Sequence, residues 1–374
     1  MHILIAPNAF KNSLDAAGVA DAIAEGLHAS KLVCTTELFP IADGGDGTGN
    51  LILEHCRGIR VQQQVSNPLG RKINASFGLI ENERSAVIEM ADASGLRLLA
   101  PDERNPLITS SFGTGELIRA ALDKGARKII LAMGGSATVD GGCGMLSALG
   151  MRFFAASGKE LKPIPAQLGE LFKVDTSGLD ERLFDTEIII LCDVANHLLG
   201  PQGAAAIFGP QKGATPEAVK SLDQFLELFV NVTRVHTGRN MDYIKYGGAA
   251  GGASAGLYAW LGAKLVNGID YFLTLTNFDE ALNRADLVIT GEGAIDHQTL
   301  QGKGPFGVAL RAKEKGIPVI GMAGKVEQVE ELAKYFKELK CINNASADLE
   351  DMLNNTGNNL VVAARVLGDE LQGV

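Results

Sequence analysis

Five stretches of this chain, all but the first glycine-rich, carry charged or hydroxyl side chains in a setting suited to holding an anion such as phosphate. The first, APNAFKNS at residues 6–13, puts the Lys11 ammonium beside a helix start opened by Ser13, and both favour an anion. Its plainer reading is a solvated lysine ahead of a capped helix. The second, ADGGDGT at 42–48, spaces Asp43 and Asp46 so that they can hold Mg2+ or a substrate hydroxyl, or else cap a helix. Gly45 and Gly47 stand where a calcium loop needs further ligands, which excludes that motif. The third, MGGSATVDGGCG at 133–144, follows the apolar run IILA. Its consecutive small residues expose backbone N–H groups in a nest that can cradle phosphate without a positive side chain. The fourth pairs Asp193, leaving the run EIIILC as a candidate base, metal ligand or cap, with Lys212 in FGPQKG at 208–213. The stretch GGAAGGASAG at 247–256 is either another close-approach loop or tight helix packing.

The fifth stretch, TGEGAIDHQT at 290–299, carries Glu292 and Asp296 and continues into GKGPFG at 302–307 with Lys303. GKGPFG matches G-x-G-x-x-G, but it does not directly follow a strand as a dinucleotide fingerprint requires, and this chain has 45 glycines to produce such matches by chance. No G-x-x-x-x-G-K-[ST] occurs, so a P-loop is excluded.

These loops need a scaffold of strands handing over to helices. Short β-branched runs at 3–6, 73–79, 86–90, 129–132, 187–192, 287–290 and 319–322 read as strands. Longer periodic stretches at 15–28, 48–55, 116–124, 217–235, 306–315 and 328–337 read as helices, with Ser13 and Thr215 as N-caps and Pro216 at a first helical position. The alternation predicts an α/β fold: one doubly wound, Rossmann-like or flavodoxin-like parallel sheet built from both chain ends, residues 1–75 and 285–374, with a second α/β domain, 76–284, inserted. In such sheets ligands bind where strands end.

Length and composition narrow the function. At 374 residues, 46% apolar and 21% charged, the chain is expected to be a folded, soluble protein of about two domains. A net charge of −10 with no basic run argues against nucleic acid or an anionic membrane as partner. No segment is long and apolar enough to span a bilayer, and the start MHILIAPNAFK is too short in apolar residues for a signal peptide. Five cysteines without C-x-x-C read as reduced, buried thiols, which points to the cytoplasm. Six scattered histidines without H-E-x-x-H give no zinc site.

Taken together, the runs APNAFKNSL, PIADGGDGT, EMADASGL, FGTGELIRAALDKGARKIILAMGGSATVDGGCGM, FGPQKGA, GGAAGG and DLVITGEGAIDHQTLQGKGPFGVA closely resemble those of the bacterial-type glycerate kinases of the first class, in order from Ala6 to Ala309. The resemblance implies ATP-dependent, Mg2+-requiring phosphorylation of D-glycerate, most often to 2-phosphoglycerate, by a cytoplasmic enzyme of two α/β domains with a cleft between them, a monomer or homodimer. The chain departs from that pattern at Asn8-Ala9, where the family usually has Asp-Ser, at Asp46 for Glu, at Val139 for Asn, and at Asn196-His197 for Asn-Pro. Asn8 cannot accept a proton.

Phosphoryl transfer needs positioning and charge neutralisation above all. On this reading Gly134, Gly135, Ser136 and Thr138 hold the ATP phosphates, with Lys212 or Lys303 as further charge. Glu292 and Asp296 hold Mg2+ or orient the hydroxyl, with Asp296 the first choice of base and Asp193 the second. Lys11, Asp43 and Arg71 fix glycerate, and Lys11 adds charge to the catalytic set. The competing readings are a kinase for another small hydroxy acid, an NAD-dependent 2-hydroxy-acid dehydrogenase, and a two-lobed solute-binding protein.

Overall fold

The computed structural model describes residues 1–327, 329–343 and 348–372. The chain divides into two compact units, one made of Met1–Asp43 and Ile269–Val374 and the other of Gly44–Gly268. Both are α/β.

The unit built from both chain ends holds a five-stranded parallel sheet in the order Glu338–Cys341, Val319–Val326, Leu287–Ile295, His2–Ile5, Thr35–Leu38. Ile3 lies opposite Leu287 and Ile5 opposite Ile289. These residues pack on one face with Val19, Ile23 and Leu27 of the helix Ala16–His28 and Leu360, Ala364 and Leu367 of the helix Thr356–Gln372. The alternate residues Leu4 and Val288 are equally buried, so the strands are apolar throughout, as parallel strands covered on both faces must be. The two helices pack closely because Gly26 has no Cβ; one would overlap the Val361 carbonyl.

The inserted unit holds a six-stranded sheet in the order Lys264–Asn267, Glu187–Cys192, Lys128–Ala132, Ser85–Glu89, Lys72–Ile80, Ile59–Ser66. Its first four strands are parallel, and the last two add by antiparallel pairing. The segment 44–75 therefore joins this unit, because the strand Ile59–Ser66 pairs along its whole length with Lys72–Ile80 and that strand pairs with Ser85–Glu89. A small antiparallel sheet of Arg152–Ala155, Glu160–Leu161 and Leu171–Asp175 was not foreseen. The longest helix, Pro216–Thr237, starts as expected, with Thr215 Oγ1 accepting from the Ala218 amide and Pro216 in the first turn.

Two local expectations fail. Asp15, not Ser13, caps the first helix, its carboxylate accepting from the Gly18 amide at 2.8 Å, while the Ser13 hydroxyl donates to the Leu353 carbonyl. Of the helix expected over 328–337, Gln328 lies outside the described residues, and Glu330–Lys334 is only a short 3-10 turn before the strand Glu338–Cys341. Among the cysteines Cys143 and Cys192 are buried, Cys34 and Cys56 half-buried and Cys341 exposed.

Candidate active site

In the inserted unit the strand Lys128–Ala132 ends in the loop of residues 133–142. Neighbouring backbone pins this loop at intervals. The Gly134 amide donates to the Gly44 carbonyl, the Ala137 amide to the Ser94 carbonyl, and the Gly135 carbonyl accepts from the Leu96 amide. Gly134 is needed by the protein itself, since a Cβ there would lie 2.6 Å from the Gly45–Asp46 backbone. Gly135 has φ +69°, in the left-handed region that favours glycine. Between these pins, the N–H groups of Gly135, Ser136 and Thr138 have no partner among the described residues. The Thr138 hydroxyl is buried and likewise unpartnered. A buried polar atom without a partner costs free energy that a ligand can return.

Lys212 completes this nest. It sits in the short 3-10 turn Pro210–Lys212, only 3% exposed, and its Nζ donates to Ser136 Oγ and to the Thr138 carbonyl, both at 2.8 Å. Burial pulls its pKa down to about 7, and the Asp140 charge opposes that shift. Asp140 is fully buried and accepts four hydrogen bonds, from Ser111 N and Oγ and from the amides of Gly142 and Gly144. Burial nevertheless raises its pKa. Glu89, buried at the end of its strand, similarly accepts from the amides of Gly47, Gly49 and Asn50 and so caps the helix Thr48–His55. Asp46 is held by Arg97, which also pairs with Asp92. Neither Asp140 nor Glu89 was singled out from the sequence. Asp140 lies in the run MGGSATVDGGCG and Glu89 opens EMADASGL, but the Asp140 partner Ser111 is 29 residues away.

In the unit made from both chain ends a second cluster forms where adjacent parallel strands finish. The Asn8 amide group donates to Asp43 Oδ2 at 3.1 Å, so the residue that cannot accept a proton instead orients a carboxylate that can. Glu292, 8% exposed on the strand Leu287–Ile295, accepts from Thr299 Oγ1 at 3.2 Å. Its pKa is pushed up to about 7 by burial, with the Asp43 charge acting in the same direction and Lys303, the Thr299 hydroxyl and Lys11 acting against it. Thus Lys11, Asp43, Glu292 and Lys303 come together. Lys11 itself is exposed, in the turn after the first strand, and Lys303 stands at the N-cap of the helix Gly304–Glu314. Asp296 Oδ1 accepts from the Gln298 amide, and its other oxygen has no partner among the described residues.

Arg71 is exposed and its guanidinium pairs with Glu103 at 2.6 Å. Asp193 follows the strand Glu187–Cys192, half-buried.

A family model described as the glycerate kinase family matches residues 3–372. A glycerate kinase of Bacillus subtilis (strain 168) is 47% identical over 328 residues, 88% of this chain and 86% of the relative. A glycerate 2-kinase of Escherichia coli (strain K12) is 45% identical over 326 residues, 87% of this chain and 86% of its own length. A crystal structure provisionally named glycerate kinase 2, from Salmonella typhimurium LT2, superposes with TM-score 0.85 at 43% identity and covers 100% of this chain and 98% of its own.

Proposed function

Because the chain belongs to the glycerate kinase family, we propose that it transfers the γ-phosphoryl group of ATP to the C2 hydroxyl of D-glycerate, giving ADP and 2-phosphoglycerate. The relative named glycerate 2-kinase supports this choice of hydroxyl. One observation carries the nucleotide half of the reading: three unpartnered amides, an unpartnered buried hydroxyl and a buried ammonium converge in the 134–138 nest. Such a set of donors matches phosphate oxygens and neutralises them locally in a protein of net charge −10.

When bound, Mg2+ would supply charge neutralisation to the phosphates. Glu292 and Asp43 fit it: Glu292 is buried, and the Asp43 charge adds to the burial that resists its ionisation, a cost that a divalent cation would offset. One or two carboxylates, with waters and phosphate oxygens, are what Mg2+ usually takes. Glu292 with Asp43 would hold the ion, and Asp296, one oxygen anchored and the other open, would take the hydroxyl proton, with Asp193 the runner-up. Lys11 and Lys303 would offset the charge of the glycerate carboxylate and the phosphates. Arg71, expected to help fix glycerate, is paired with Glu103. An odd number of cysteines without a C-x-x-C pair supports action in the cytoplasm.

An ADP-release assay across several small hydroxy acids tests the assignment. D-glycerate should be turned over and a strong chelator should stop the reaction. Preference for another hydroxy acid, or reduction of NAD+ in place of ATP consumption, would overturn it.

A further inference from the structure

The nest is held from behind by one carboxylate. Asp140 Oδ2 accepts from Ser111 N at 2.7 Å, Ser111 Oγ at 2.8 Å and Gly144 N at 3.2 Å, and Oδ1 accepts from Gly142 N at 3.1 Å. Ser111 Oγ in turn accepts from the Met145 amide at 3.0 Å. Asp140 thereby ties the starts of two helices, Phe112–Asp123 and Cys143–Ala148, to the end of the phosphate loop. The carboxylate is fully buried, and capping two helix starts would need only a serine or an asparagine. A buried aspartate is a costly choice for a purely structural tie. The group it serves electrostatically is Lys212, and among the described residues Asp140 is the charged group that acts on it; the groups bonded to Lys212, the Ser136 hydroxyl and the Thr138 carbonyl, are neutral.

We propose that Asp140 is a positioning residue for the nucleotide, fixing the unpartnered amides of Gly135, Ser136 and Thr138 through Ser111 and the Gly142 and Gly144 amides while supplying a buried counter-charge to Lys212. This rests on the kinase reading. It deepens that reading by making ATP affinity depend on a residue that need not touch ATP. With the Lys212 pKa drawn down to about 7 in the free protein, an ATP-bound ammonium must recruit a proton at higher pH. Removing the Asp140 charge lowers that pKa further and makes the recruitment harder.

Calorimetry with MgATP on the full chain, at pH 6 and pH 8 and in two buffers of different ionisation enthalpy, tests this. Asp140→Asn is expected to weaken ATP binding roughly tenfold or more at pH 8 and distinctly less at pH 6, with the glycerate KM changed less than about twofold. Ser111→Ala, which removes a tie and leaves the charge, should weaken binding to a similar extent at both pH values. In the parent, binding at pH 8 should take up a proton that Lys212→Met does not. Equal affinity of Asp140→Asn and parent, or an equal loss at both pH values, would overturn the charge role. Should Asp140→Asn not fold, the parent and Lys212→Met decide: no difference in proton uptake between them sinks the proposal. A parent that binds no ATP would instead sink the kinase reading.

Discussion

Residues in this protein are asked to carry charge where burial resists it. Glu292 shows the cost. Its folded pKa of about 7 exceeds the ordinary glutamate value, so its contribution to stability is present at low pH and is lost as pH rises through 7. In metal-free protein Glu292→Gln should match the parent in urea unfolding at pH 4, below the ordinary glutamate value, and exceed it by up to about 3 kcal/mol at pH 8, while activity falls. Equal stability of the two at pH 8 would show that Glu292 is better solvated than its burial implies. The proton acceptor is a separate question. Asp296→Asn should lower turnover roughly 10²- to 10⁴-fold with ATP binding retained, measured as steady-state ADP release beside a binding titration. Near-full activity there together with loss in Asp193→Asn would exchange the two roles. The nest could be proposed from the small residues and hydroxyls of one loop, whereas Lys212 belongs to another, and its contacts with Ser136 and Thr138 join residues 76 and 74 apart, which no local pattern gives. The Asp140–Ser111 tie was not legible either, since nothing local joins two residues 29 apart. Ser13 was taken for a cap because two capping types, Ser13 and Asp15, stand two positions apart, and only tertiary contact with Leu353 separates them.

Elements follow from how far each is buried. Strands covered on both faces, such as Leu287–Ile295 and Glu187–Cys192, carry apolar runs that stand out in the sequence. The edge strand Ile59–Ser66, IRVQQQVS, is mostly exposed and polar, and escaped notice for that reason. The helix Thr356–Gln372 was also missed: it opens on TGNN, whose residues are poor helix formers, and it is held by packing against the first helix. That packing gives a prediction. Gly26→Ala must displace the Val361 carbonyl, so urea unfolding should show a loss of about 1–3 kcal/mol, with the KM values for glycerate and ATP unchanged. A variant as stable as the parent would mean that the two helices separate without cost.

The whole molecule is two α/β units, one of them built from both chain ends. The division falls after Asp43 and after Gly268. Residues 44–75 look, in sequence, like a continuation of the first strand-helix unit, yet their strand is claimed by a hairpin partner and so by the other sheet. Function at this scale is phosphoryl transfer, and the proposed reading gives a divalent ion a part in it: titrating Mg2+ into chelator-treated protein should restore ADP release, and turnover that never needed the ion would remove Glu292 and Asp43 from the proposed role. The most direct test of the central claim is a phosphorus NMR time course of the purified protein with ATP, Mg2+ and D-glycerate. Loss of the ATP γ-phosphate should be matched by a phosphomonoester signal split into a doublet by the single proton on C2. A triplet from the two protons on C3 would contradict the assigned hydroxyl, and unchanged ATP, or inorganic phosphate as the only product, would contradict glycerate kinase activity itself.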